Sequence, residues 1–179
     1  SYELYLQDRK KGDELFEIVH EAAKEFNGAV IAPNIIRTIE GGLLSYQSDF
    51  GREHNPFTIG LERLVDLDQD IDFIGKEALK KIKAEGISEK LVGVEIDGDP
   101  IHKAPENFWP VFDVNHKKIG RLSRCFFSPR LKKNIGLAII NINFVEPGTP
   151  LILESPKAHL NAQVHELPWF PAEKSTNLD

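Results

Sequence analysis

The sequence has no methionine and a single cysteine, Cys125, among its 179 residues. One thiol excludes an internal disulfide framework and a zinc site built from cysteines. With no methionine, a translation start is expected upstream of Ser1. Long apolar runs are missing too, so no segment reads as a membrane-spanning helix. No cationic-then-apolar leader opens the chain, and a cytoplasmic protein is expected. The phosphate-cradling G-x-G-x-x-G and P-loop patterns do not occur, nor does G-x-S-x-G, which disfavours dinucleotide, ATP and serine-hydrolase chemistry. The histidines (His20, His54, His102, His116, His159 and His165) are scattered, with no i, i+4 pair of the metalloprotease kind. Asp66, Asp68, Asp70 and Asp72 alternate, but the run lacks the central glycine and closing glutamate of a calcium loop. No metal site is predicted.

Hydrophobic residues at 41% and charged residues at 28% fit a globular chain. A chain of this length suffices for one medium domain or two small ones. Charge is uneven. Residues 1–89 carry 11 Lys/Arg against 18 Asp/Glu, and residues 90–179 carry 11 against 10. The acidic balance argues against general nucleic-acid binding, which depends on neutralising phosphates. The basic cluster Arg121, Arg124, Arg130, Lys132 and Lys133 reads either as a solvated face or as an anion site.

Tyr2, Leu4 and Leu6 alternate with Glu3 and Tyr5, which predicts a half-buried strand. Leu15, Phe16, Ile18, Val19, Ala22, Ala23 and Phe26 recur at helical spacing, so a helix is predicted over residues 13–26, closed by Asn27-Gly28. A short helix is predicted over residues 34–44, weakened by Gly41-Gly42. Residues 61–67 read as a strand and 75–85 as a helix stopped by Gly86. From Lys90 the pattern changes to about five short strands with frequent turns, the signature of a small barrel or sandwich. The boundary is placed near residue 88, and residues 171–179 form a polar tail.

An ordered series of segments resembles the glycine cleavage T-protein family. Asp72-Phe73-Ile74-Gly75-Lys76-Glu77-Ala78-Leu79 is similar to its D-F-I-G-(K/R)-E-A-L box. Ile119-Gly120, Ser128-Pro129 and Lys133-Asn134-Ile135-Gly136-Leu137-Ala138 are similar to its barrel segment. Pro147-Gly148-Thr149-Pro150-Leu151 and Leu167-Pro168-Trp169-Phe170 resemble two later marks, and Ile39-Glu40-Gly41-Gly42-Leu43 lies where the family has L-E-A-G-L. The resemblance implies an α+β chain: the C-terminal part of a folate-binding α/β domain over residues 1–88, then a small antiparallel β-barrel over 89–170. It also implies that this is the C-terminal half of a tetrahydrofolate-dependent methyl- or aminomethyltransferase. The other half would carry the catalytic aspartate, before Ser1, and the isolated chain is expected to be inactive.

Within that resemblance, Glu3 matches the family glutamate that bonds the pterin ring. A carboxylate suits an amino-pyrimidine edge, because two parallel charge-assisted bonds are strong. The family's arginine in G-L-G-A-R-D falls here at Asn34, with Arg37 one turn further on as a partial replacement. The form Pro33-Asn34-Ile35-Ile36-Arg37, followed by Asp49-Phe50 and Asn55-Pro56-Phe57, is more similar to the dimethylsulfoniopropionate demethylase relatives, in which Tyr5 sits at a cavity tyrosine position. The implied cofactor-binding residues are therefore Glu3, Tyr5, Asn34 and Arg37. The implied partners are a small methyl or aminomethyl donor, the N-terminal half of the same enzyme and, for a true T-protein, a lipoyl protein. Glu40 and Tyr46 read as structural. The cysteine-bearing folate protein of iron–sulfur assembly is a more distant likeness, because the box at 73–77 has no cysteine. A binding or interaction module without catalysis is the competing class.

Overall fold

The computed structural model describes residues 3–170. The chain divides between Asn34 and Ile35 into two compact units. The first carries helix α1 (Gly12–Lys24), preceded by a 3₁₀ turn at Arg9–Lys11. Asp8 caps that turn through a bond from the Lys10 N–H at 3.0 Å. Asp13 and Glu14 place negative charge in the first turn of α1, where the helix dipole is positive. Phe16, Ile18 and Val19 on α1 remain exposed. The alternating segment at Glu3–Leu6 is irregular rather than a strand. A lone extended segment gains a ladder only from a paired neighbour, and no described strand flanks it.

The second unit holds α2 (Ile35–Glu40), α3 (Lys76–Glu85) and six strands. The strands are β1 (Glu89–Ile96), β2 (Trp109–Phe112), β3 (Lys118–Ser128), β4 (Lys133–Asn141), β5 (Pro150–Glu154) and β6 (His159–His165). They close a barrel in the order β1-β4-β3-β2-β5-β6, and each pairing is antiparallel. Closure removes the exposed edges that would otherwise template aggregation. Inward-facing Val92, Val94, Leu122, Cys125, Ala138, Ile140, Leu151, Leu153 and Val164 fill the interior. The α+β class and the antiparallel barrel expected from the sequence are both present.

β4 is apolar without alternation because both of its faces are buried. Ala138 and Ile140 point into the barrel, whereas Ile135 and Leu137 form a second core with Ile39 of α2. That outer core seats α2 on the barrel wall. The strand expected at 61–67 is instead a 3₁₀ turn, Glu62–Leu64, in otherwise irregular chain, with the Leu64 N–H on the Leu61 carbonyl at 3.0 Å and the Val65 N–H on the Glu62 carbonyl at 3.1 Å. Asp66 and Asp72 each capture nearby backbone N–H groups. The Lys76 ammonium donates to the carbonyls of Gln69 and Ile71. Local side-chain bonds of this kind compete with a ladder. Lys76 thereby accounts for one position of the D-F-I-G-K-E-A-L box in structural terms.

Candidate functional site

The described chemistry concentrates where α2 and the loop after it meet β3. α2 ends at Glu40 because a glycine pair follows, and Gly42 adopts φ 63°. A Cβ there would lie 3.7 Å from Leu167 Cβ, at the closing segment of the chain. The Trp169 backbone N–H donates to the Glu40 carbonyl at 3.0 Å. The Glu40 carboxylate is buried and accepts the Ser128 hydroxyl at 2.6 Å. Ser128 in turn accepts the Leu131 N–H at 3.1 Å. Glu40 is thus committed to an internal bond, as its structural reading requires.

Asp49 is 1% exposed. Its carboxylate accepts the Ser45 N–H at 2.7 Å, the Ser123 hydroxyl at 2.8 Å, and Arg124 Nε and Nη2 at 2.8 and 2.6 Å. The Arg124 fork also donates to Thr38 Oγ1 at 3.0 Å and to the Leu43 carbonyl at 2.8 Å. A β-bulge makes this possible. The register of β3 against β4 shifts between Leu122 and Arg124, so Ser123 is an extra residue. Leu122 and Cys125 both point into the barrel, and Ser123 and Arg124 both turn outward to Asp49.

The residues predicted from the resemblance are placed as follows. Glu3 and Tyr5 lie in the first unit, exposed, and the Tyr5 hydroxyl donates to one Glu3 carboxylate oxygen. That bond, with a smaller contribution from burial, raises the Tyr5 pKa. Asn34 is the exposed last residue of the first unit, and Arg37 is exposed on α2 in the second.

The basic cluster does not form an anion face. Arg124 is taken by Asp49. Arg121 lies 3.5 Å from Glu53 and stacks over Phe108, 4.5 Å from the ring centre. Arg130 stacks over Phe170 at 3.5 Å, and Lys133 pairs with Glu95 at 2.6 Å. The sequence places these cations together but does not reveal that Asp49, Glu53 and Glu95 pair with Arg124, Arg121 and Lys133, and that Phe170 lies under Arg130. The Asp49–Arg124 bridge was missed for the same reason: its partners lie 75 residues apart. The legible trace was the apolar pair Leu122 and Cys125, whose odd spacing breaks strand alternation.

Residues 89–171 match the glycine cleavage T-protein C-terminal barrel domain. The T-protein-like barrel therefore begins with β1. Over 175 residues the chain is 35% identical to an aminomethyltransferase of Geobacillus sp. (strain WCH70), covering 97% of this chain and 47% of that protein. An aminomethyltransferase of Thermoanaerobacter sp. (strain X514) is 35% identical over 153 residues, covering 84% of this chain and 40% of the relative. The crystal structure of the glycine cleavage system aminomethyltransferase T from Bartonella henselae superposes with a TM-score of 0.65 at 21% identity. That superposition covers 74% of this chain and 36% of the Bartonella one and bears on the fold alone. These findings support the T-protein family and a transferase lineage. The chain spans about half the length of the Geobacillus relative.

Proposed function

We propose that this chain is the C-terminal portion of a tetrahydrofolate-dependent one-carbon transferase of the aminomethyltransferase kind. The observation that carries the reading is the likeness to aminomethyltransferases across 97% of the chain, the segments before the barrel included. Residues 1–88 would complete a folate domain and 89–170 would be its barrel. The N-terminal half of the same enzyme would supply the catalytic carboxylate. The exposed Phe16, Ile18 and Val19 of α1 fit a surface that such a half covers.

Glu3, Tyr5, Asn34 and Arg37 are the proposed folate contacts. Tyr5 donates to one oxygen of Glu3, and both carboxylate oxygens keep a lone pair to accept from a pterin edge. Tetrahydrofolate supplies the one-carbon acceptor. The residues of this chain would bind and orient it, and positioning with fixed charges is the main resource of such catalysis.

A second reading rests on Asn34. Loss of the arginine there favours the demethylase-like relatives, with a sulfonium methyl donor and no lipoyl protein. Turnover by the protein carrying this chain, assayed with aminomethylated lipoyl protein, dimethylglycine and dimethylsulfoniopropionate, separates the readings. Tetrahydrofolate-dependent turnover of the lipoyl substrate is expected. Turnover of dimethylsulfoniopropionate instead would establish the second reading, and turnover of none would favour a non-catalytic module. The isolated chain is expected to show no transfer, and transfer at a rate matching the longer protein would overturn its assignment as a portion.

A further inference from the structure

We propose that Arg124 is a positioning residue: from the β3 bulge its guanidinium fixes α2, and with it Arg37, on the barrel wall. The role assigned to Arg37 rests on the folate reading. The clamp itself rests on geometry.

An ion pair that served stability alone would need only its partner. The Arg124 fork instead holds three points along the stretch 38–49. It meets the hydroxyl of Thr38 within α2, the carbonyl of Leu43 just past the glycine pair, and both oxygens of Asp49 in the following loop. Its side chain is 12% exposed and that of Asp49 is fully buried, so water competes weakly for the bonds between them. The planar fork imposes direction as well as attraction, which a lysine cannot do. The Leu43 N–H bonds back to the Thr38 carbonyl at 2.8 Å, so the two α2-side contacts of Arg124 belong to one small turn. Sliding α2 along β4 would break the Thr38 and Leu43 bonds together. Arg37 directly precedes Thr38 in α2. Its exposed cation is therefore held one residue from a point tied to the barrel. The Ser123 bulge is what aims the clamp, since regular alternation would send Arg124 into the apolar interior.

Hydrogen exchange read by mass spectrometry on the 179-residue chain tests the clamp. In Arg124→Ala, amides of Gly41, Gly42 and Leu43 are expected to lose about tenfold more protection than the β1 and β4 amides, which follow only the global loss of stability. Arg124→Lys should fall between. Unchanged exchange at 41–43, or an equal rise throughout the barrel, overturns the proposal. Should Arg124→Ala fail to fold, Thr38→Val removes one fork contact at nearly constant volume and should show the same local pattern more weakly. Uniform or absent change in that variant overturns the proposal as well. The functional consequence is read by tetrahydrofolate titration of the protein carrying this chain. Arg124→Ala should weaken binding about tenfold, whereas Leu153→Ala, a core change inside the barrel, should leave it unchanged. Equal loss in both variants, or none in Arg124→Ala, contradicts positioning. Absence of binding by the unaltered protein sinks the folate reading and the role given to Arg37, while the exchange result still decides the clamp.

Discussion

Arg124→Ala would leave the Asp49 carboxylate at 1% exposure without its cation. Removing one partner of a buried pair typically costs about 3–5 kcal/mol, because the remaining charge stays desolvated. Urea unfolding should show a loss of that size, and a loss under about 1 kcal/mol would mean that water reaches Asp49 readily. Cys125 makes a second test. Burial pushes its thiol from an ordinary 9.0 up to about 12. The native state then holds a proton that the unfolded state releases. Stability present below pH 9 should decline as pH rises toward 12. A Cys125→Ala variant should lose less stability over the same pH interval. Alkylation of Cys125 at pH 8 should be slow until denaturant is added, because the thiolate is the reactive form. Rapid labelling of the native chain would contradict its placement in the barrel interior.

Strand β4 crosses β3 at close range. A Cβ added to Gly136 would lie 2.7 Å from the Arg124 carbonyl and 2.9 Å from Leu122 Cδ1. Gly136→Ala should therefore cost about 1–3 kcal/mol by overpacking, seen as a lowered thermal midpoint. An unchanged midpoint would show that the strands separate freely there. The elements of the barrel were legible because alternation and turn residues repeat along the chain, whereas the burial of β4 on both faces depends on α2, which packs outside it. Other elements were not. The alternation of Tyr2 to Leu6 is a strand pattern, but pairing depends on a neighbour that pattern cannot supply. The segment at 61–67 has strand-like apolar spacing, yet its Leu64 and Val65 N–H groups bond back to the Leu61 and Glu62 carbonyls in a local turn. The bulge at Ser123 left a trace in spacing alone, and its purpose lies in Asp49, far away in sequence.

The whole molecule joins a barrel that matches a T-protein domain to a preceding stretch similar to aminomethyltransferases. Among the described residues no helix is long and apolar enough to cross a membrane, and no group of carboxylates, histidines or thiols could hold a metal ion. The proposal of Glu3, Tyr5, Asn34 and Arg37 rests on family likeness, because isolated polar residues carry no periodic signal. The scaffold around α2, namely Ser128 under Glu40 and Arg124 on Asp49, emerged from tertiary contacts that local patterns do not encode. The folate assignment at Glu3 is the central claim. Calorimetric titration of the protein carrying this chain with tetrahydrofolate, before and after Glu3→Ala, tests it most directly. Saturable binding that Glu3→Ala weakens by about tenfold or more is predicted, the cost of a lost charge-assisted bond. No binding, or binding that Glu3→Ala leaves unchanged, would contradict it.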